Sequence, residues 1–392
     1  MRVVHVTTAP MALMFLRGQV GFMKEHGVDV VAISSPGDEL DAFGEQQSVA
    51  VYAVPMARQI TPLRDLRSLL ELRRLLRELR PTVVHAHTPK GGLLGTLAGV
   101  LAGVPVRVYH MRGLPLMTAT GSRRALLRWT EKLSCLAAHH VLCVSTSLRD
   151  VALAERLCEG DKIEVLGGGS GNGVDARNRF NPDRVGPAAR SATRAKHGIP
   201  DEAIVIGFVG RVVRDKGVLE LLQAFRGLAA RHPDVHLLVV GGVEERDAIP
   251  EAAQRELEEA PRIHWTGFDW DSPPLYAAMD VVALPTYREG FPNVPLEAAA
   301  MGLPVVATEI PGCVDAVQNG VTGLLVPVAD AAALERALEK YVADGALRHA
   351  HGSAGRQRVL ESFQQEVLWE ALYARYRELV GRAQLTSTAS AR

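Results

Sequence analysis

The sequence is poor in the features that mark several protein classes. Only four cysteines occur in 392 residues, Cys135, Cys143, Cys158 and Cys313. They show neither metal-ligand spacing nor the density of a secreted disulfide scaffold, which points to a reducing compartment. Aromatic residues make up 5% of the chain, and the formal net charge is zero, so no strongly basic surface of the nucleic-acid-binding kind is expected. No apolar run reaches the roughly 20 residues needed to cross a bilayer. The opening Met1-Arg-Val-Val-His-Val-Thr-Thr8 reads as a strand rather than a signal sequence, and the expected location is the cytosol. Internal repeats and low-complexity blocks are also lacking.

What the chain has is length, aliphatic content and a rhythm. A chain of this length exceeds one typical core, so two domains are expected. Short apolar runs alternate with helical segments: Val3–Val6, Val28–Ile33, Val49–Val54, Thr82–His85, Val104–Tyr109 and Val141–Val144, then Ala203–Val209, His236–Val240, Ile263–Trp265, Val281–Leu284, Pro304–Ala307 and Gly323–Val326. Repeated strand, helix, strand in both halves implies two doubly wound parallel sheets with helices on both faces. Asn181 to Pro200 carries no period and reads as the interdomain linker. The expected organisation is residues 1–185, 186–364, a final helix over 365–381, and a disordered tail over 382–392. In that helix Val367, Leu368, Ala371, Leu372, Tyr376 and Leu379 fall on one stripe.

Charge is unevenly divided. Residues 1–195 hold 25 Lys and Arg against 17 Asp and Glu, and the remainder hold 19 against 27. Two segments combine leucines with arginines. Leu63 to Leu79 is expected to pack on a sheet, because it leads into the strand at Thr82; Arg123 to Lys132, which contains Trp129, reads equally well as a membrane-facing surface.

The chemistry concentrates in two loops. Glu289-Gly-Phe-Pro-Asn-Val-Pro-Leu-Glu297 places two carboxylates eight positions apart, the first at the carboxyl end of a strand and the second about two turns into a helix. Between them lie backbone N–H groups of a helix N-terminus, suited to a phosphate or an electron-rich sugar oxygen; Pro292 has no N–H to offer. Phe208-Val-Gly-Arg-Val-Val-Arg-Asp-Lys-Gly217 ends a strand at Gly210 and follows it with Arg211 and Lys216. A planar guanidinium and a compact ammonium in one loop can meet the charge that builds on a departing diphosphate.

The segment Glu289 to Glu297 resembles the E-x7-E signature of retaining glycosyltransferases, most closely family 4. The order of Val84-His-Ala-His-Thr-Pro-Lys-Gly-Gly92, Val144-Ser-Thr-Ser147, Asn172-Gly-Val-Asp175, Gly210-Arg211 with Lys216-Gly217, Thr266-Gly-Phe268, the Glu pair, Pro311-Gly-Cys-Val-Asp315 and Gly320-Val-Thr-Gly-Leu-Leu325 is similar to bacterial sugar transferases of that family over nearly the whole chain. The resemblance implies a GT-B fold, two Rossmann-like domains facing a central cleft, with the nucleotide-sugar donor held mainly by the second and a saccharide or lipid-linked saccharide acceptor by the first. It implies that the final helix crosses back to the first domain. By position, Arg211 and Lys216 match the cations on the donor diphosphate, and Glu289 the acid near the transferred sugar. Gly210, Gly290, Phe291, Pro292 and Asn293 fall in the donor loops, and Glu297 matches the acceptor of the ribose hydroxyls.

One position departs from the family pattern. Tyr109-His-Met-Arg-Gly113 has Arg112 where many members carry a His before a Gly, with His110 two residues earlier. Strand alternation puts both on one face, and either can take the role. His85-Ala-His87 lacks a third ligand at suitable spacing and is expected to line the acceptor cleft; Asp269-Trp-Asp271 is expected in a surface loop near the nucleobase. Gly167-Gly-Gly-Ser-Gly-Asn-Gly173 fits neither the dinucleotide fingerprint nor the P-loop and reads as flexible chain. The expectation is a metal-independent, retaining transferase using a UDP-sugar. A phosphorylase or epimerase of the same fold, or a non-catalytic sugar-nucleotide binder, are the competing readings.

Overall fold

A computed structural model describes residues 1–57, 59–244 and 247–390, with side chains as far as Leu385 in the last helix. The chain forms two compact units, one of Met1–Asn172 with Gln365–Arg392 and the other of Gly173–Gln364.

The first unit holds seven strands: β1 (Arg2–Val6), β2 (Asp29–Ser34), β3 (Ala50–Ala53), β4 (Val83–His87), β5 (Val106–Met111), β6 (His140–Cys143) and β7 (Ile163–Glu164). They pair in parallel in the order β3-β2-β1-β4-β5-β6-β7. The second holds β8 (Ile204–Val209), β9 (Val235–Val240), β10 (Ile263–Gly267), β11 (Val281–Leu284), β12 (Val305–Thr308) and β13 (Gly323–Val326), in the order β10-β9-β8-β11-β12-β13. All of their pairings are parallel too. Each order reverses once, between β1 and β4 and between β8 and β11. At such a switch point the loops leaving adjacent strands diverge and open a crevice at the carboxyl ends, where doubly wound folds bind ligands.

Both sheets are buried on their two faces, which explains why the strands read as continuous Val, Ile and Leu runs rather than as alternation. In the first unit Val4, Val6, Val84 and Ala86 face a cluster with Leu72, Leu75 and Leu76. Val3, Val30, Val83 and Val108 face another that includes Leu372 and Tyr376 of the last helix.

Several elements differ from the sequence reading. β7 is two residues long and has no sequence signature. Asn181–Pro200 contains a helix, Pro182–Lys196, broken at Gly186 (φ 74°) before Pro187, and it belongs to the second unit. It lacks an apolar period because ion pairs anchor it: Arg190 and Arg194 both pair with Asp280, at 2.8 and 2.9 Å, and the Arg194 side chain is fully buried. The last helix runs Gln365–Ser390, past the point where a disordered tail was expected; Ala383 still packs against the core of the first unit. The final two residues lie outside the described ones. Val367 stands 43% exposed while Leu368, Leu372 and Tyr376 are buried, so the buried stripe starts one residue later than expected.

Candidate donor site and the histidine cluster

In the second unit, β8 and β11 lie side by side and deliver the two chemical loops to the same crevice. The main chain ties the loops together. Tyr287 donates its N–H to the Asp215 carbonyl at 2.9 Å, and the Thr286 hydroxyl donates to the same oxygen at 3.2 Å. Gly217, at φ 70°, allows this approach: a Cβ there would lie 2.0 Å from the Pro285 carbonyl oxygen. Any side chain would therefore push the Lys216 loop off β11.

The result is an ion pair between Lys216 and Glu289, whose side chains are only 16% and 14% exposed. Neither charge is fully hydrated, so each holds the other in place. Arg211 lies on the same loop but points elsewhere, pairing with Glu244 at 2.7 Å in an exposed position. The structure thus brings Lys216 and Glu289 together and leaves the Arg211 guanidinium on a different carboxylate.

Beyond Gly290, the helix Asn293–Ala300 begins after Pro292 with no side chain capping it. Its N-terminal end can accept an anion. Glu297 sits in the second turn and accepts a hydrogen bond from the Tyr276 hydroxyl at 2.7 Å. Burial raises the Glu297 carboxyl above its usual range, while the Tyr276 hydrogen bond and the charge of Arg179 act the other way. Tyr276 is fully buried. It had no sequence signal, since its role follows from the packing of the helix Ser272–Ala277 and not from any spacing. Asp269-Trp-Asp271 forms its own turn, the Asp271 N–H donating to Asp269 Oδ1 at 2.9 Å, with Trp270 52% exposed.

In the first unit, β4 runs on through His87, two residues further than its apolar run suggested. His5 on β1 is in register with His85, and His87 with His110 on β5. The four imidazoles therefore share one face at the switch point. His85 and His87 are each 1% exposed, so neither offers the accessible surface that the expected role of lining an acceptor cleft requires. The strand alternation turns them inward beneath the last helix, where His85 Nδ1 hydrogen-bonds the Tyr376 hydroxyl. Desolvation keeps the imidazoles neutral; His5 is pushed down to about 3, with the charge of Arg112 adding to the effect.

Arg112 orders the cluster. Its Nε donates to His87 Nδ1 at 3.3 Å, and a guanidinium can only donate. His87 must then carry its proton on Nε2, which lies 2.9 Å from His5 Nδ1, so the proton arrangement of both rings follows from Arg112. The guanidinium also sits 4.7 Å from the Phe15 ring centroid and donates to the Gly171 carbonyl at 3.4 Å. Burial lowers it to about 10, and it stays cationic. His110 and Arg112 do share a face, as alternation predicts.

Spacing along the chain gave His85 and His87 no third ligand, but the fold supplies one. Ligand nitrogens of His5, His85 and His87 lie within 4.8 Å of one another. A divalent ion there would have to break the His5–His87 hydrogen bond beside a fixed guanidinium, so the donor set is a poor fit for a cation. The glycine-rich segment is not loose chain either. Trp369 Nε1 donates to Asn172 Oδ1 at 2.7 Å, Asn172 Nδ2 donates to the Arg17 carbonyl at 3.0 Å, and Ser170 N–H donates to the Val144 carbonyl at 2.7 Å. A Cβ at 171 would stand 2.1 Å from Arg112 Nη1, so a side chain there would displace the guanidinium.

Comparison with known proteins agrees with this fold. A family model described as "Glycosyl transferase 4-like domain" matches residues 3–169, and one described as "Glycosyl transferases group 1" matches residues 189–358. The capsular polysaccharide biosynthesis glycosyltransferase CapM of Staphylococcus aureus is 34% identical over 375 residues, covering 96% of each chain. An Escherichia coli UDP-Gal:alpha-D-GlcNAc-diphosphoundecaprenol alpha-1,3-galactosyltransferase is 28% identical, covering 76% of each. Among solved structures, a glycosyltransferase from Rickettsia africae superposes with a TM-score of 0.80 at 20% identity, over 97% of this chain and 98% of that one. Anabaena HepE in complex with UDP gives 0.78 at 21%, over 96% and 99%. With two parallel-sheet α/β units of GT-B type and family matches across both, this chain belongs to the glycosyltransferases, with a 4-like first domain and a group 1 second domain.

Proposed function

We propose that the protein is a retaining glycosyltransferase that moves a hexose from a UDP-sugar to a saccharide acceptor carried on a lipid, in the building of a cell-surface polysaccharide. The observation that carries this reading is the meeting of Lys216 and Glu289 at the β8/β11 switch point, with Glu297 one helix away. Two relatives support it: one acts in capsular polysaccharide biosynthesis, and another takes UDP-Gal and a diphosphoundecaprenol-linked sugar.

In this reading Glu297 accepts hydrogen bonds from the ribose hydroxyls and Glu289 from hydroxyls of the donor sugar. Lys216 turns from Glu289 to the diphosphate, joined by Arg211 and by the N–H groups at the start of Asn293–Ala300. These groups stabilise the charge that appears on the β-phosphate oxygen as its bond to the anomeric carbon breaks. The acceptor hydroxyl oxygen bonds that carbon from the face the phosphate is leaving, and its proton passes to the departing phosphate. No carboxylate is assigned as a covalent nucleophile. The reaction needs no metal ion, and the protein works in the cytoplasm, peripherally at the membrane that holds its acceptor.

The test is a transfer assay with UDP-hexoses and lipid-linked saccharides, the product read by NMR. An axial donor bond giving an axial product linkage supports the reading. An inverted product would overturn the mechanism. A requirement for inorganic phosphate would favour a phosphorylase, and nucleotide binding without nucleotide release a pure binder.

A further inference from the structure

Three helices of the first unit, Pro62–Leu79, Pro89–Ala102 and Gly121–Ala137, lie side by side with Pro89–Ala102 in the middle. Each buries one side against the sheet or its neighbours, through residues such as Leu72, Leu94 and Cys135. Their outward sides are unusually apolar. On Gly121–Ala137, Leu126, Trp129, Leu133 and Leu136 are 46%, 68%, 41% and 63% exposed, and their spacing of three, four and three residues makes one stripe. Val100 and Leu101 continue it at the end of the middle helix, each 46% exposed, and Leu63, Leu66 and Leu70 form a second stripe on Pro62–Leu79. Single exposed leucines are ordinary; stripes on adjacent helices mark an interaction surface.

The charges around this surface are mainly cationic: the three helices carry ten Lys and Arg against four Asp and Glu, although Arg74 pairs with Glu78, and Arg124 and Arg128 with Glu155. Arg73 and Arg77 both donate to the Leu101 carbonyl at 3.3 Å, which holds their guanidinia beside the exposed Val100 and Leu101. Lys162 donates to the Leu136 carbonyl at 3.3 Å. Arg123 and Lys132 flank the Trp129 stripe, and the one acid of that helix, Glu131, is buried against Tyr109. A large aromatic and leucines bordered mainly by cations, on a helix whose own acid is buried, match the headgroup zone of an anionic bilayer, where apolar tips enter and cations meet phosphate.

We propose that this face of the first unit docks on the surface of a membrane bearing anionic lipids, with Trp129 and Leu133 entering the headgroup region and Arg73, Arg77, Arg123, Lys132 and Lys162 meeting lipid phosphate. This deepens the membrane placement in the proposed function. Its test uses neither nucleotide nor acceptor, so docking and transfer can fail separately.

The experiment is co-sedimentation of the full chain with vesicles of phosphatidylcholine alone and of phosphatidylcholine with phosphatidylglycerol, at rising salt. The anionic vesicles should pellet the protein, the neutral ones far less, with binding weakening as salt is added. Tryptophan emission should shift to the blue on binding in the parent but not in Trp129→Phe. The double variant Trp129→Glu, Leu133→Glu should lose at least tenfold in vesicle affinity, and Arg73→Ala or Arg77→Ala about fivefold each. All these positions contact solvent, so unchanged circular dichroism is expected, and Val328→Glu on the second unit, also at an exposed apolar residue, should bind as the parent does. No pelleting with anionic vesicles would overturn the proposal. So would full binding by the double variant, equal loss in Val328→Glu, or a parent dimer that the double variant dissociates without any vesicle binding.

Discussion

Lys216 and Glu289, 73 positions apart in sequence, form an ion pair at the junction of β8 and β11. The cation expected to meet a diphosphate is balanced by the acid expected to meet the sugar. Both are thereby held in place within a crevice where water reaches each only in part. Lys216→Ala should lower turnover by about 100-fold or more, because its charge is needed most as the leaving group forms. It should also destabilise the fold by roughly 2 kcal/mol by leaving Glu289 without its partner, and Lys216→Ala with Glu289→Ala should recover part of that loss. Steady-state kinetics and urea denaturation check the two halves; parental turnover in Lys216→Ala would reduce the pair to a structural one.

On the proposed ribose assignment, Glu297→Ala should cost about 2 to 4 kcal/mol of UDP affinity with the fold intact, the loss of two charge-assisted hydrogen bonds. Tyr276→Phe should cost less, roughly 1 kcal/mol, because it removes only the hydroxyl that orients the carboxylate. Calorimetric titration with UDP separates them. Equal affinity in Glu297→Ala and the parent would remove the ribose assignment.

Arg112→Ala and His110→Ala should behave differently. Arg112 sets the proton positions on His87 and His5, so its removal should lower turnover, whereas His110→Ala should act mainly on stability or acceptor binding. Gly171→Ala provides an independent probe: the new Cβ displaces the Arg112 guanidinium and should reproduce much of the Arg112→Ala defect. If Gly171→Ala, Arg112→Ala and His110→Ala all keep full activity, this cluster does not reach the reaction.

Glu131 predicts a pH dependence of stability. It is buried, bonded to the Tyr109 hydroxyl at 2.7 Å, and burial raises its carboxyl to about 7. The native state therefore holds this proton more tightly than the unfolded chain does. The contribution is complete below the unfolded value near 4.5 and is lost as the pH rises through about 7, for a total of about 3 kcal/mol. Glu131→Gln should remove this slope from melting curves recorded between pH 5 and pH 8, in the absence of other changes at the site. A variant with the parental slope would show that Glu131 is already ionised in the native state.

Transfer should persist in excess EDTA, because Lys216, Arg211 and a helix N-terminus together offer positive charge comparable to that gained by the leaving phosphate. Activity that vanished with chelator and returned with Mg²⁺ or Mn²⁺ would point to a bound ion. Loss of that rescue in Asp269→Ala would locate it in the Asp269-Trp-Asp271 loop, and loss in His5→Ala in the histidine cluster.

Much of this protein was legible from the sequence. Buried parallel strands announce themselves as short apolar runs, so twelve of the thirteen strands, their alternation with helices and the two doubly wound sheets followed from local pattern; β7, at two residues, is too short to leave one. The loops carrying Arg211, Lys216, Glu289 and Glu297 were legible for the same reason, since each follows directly on a strand. What the sequence could not specify is which side chains meet across strands. Strand order decided that β8 lies against β11 and so joined Lys216 to Glu289; register decided that His5 completes a cluster with His85, His87 and His110. Tyr276 reaches Glu297, and Arg190 and Arg194 reach Asp280, by packing between segments far apart in the chain. Periodicity records which face of an element is buried, but pairing between distant polar groups has no period, and only the tertiary structure decides it.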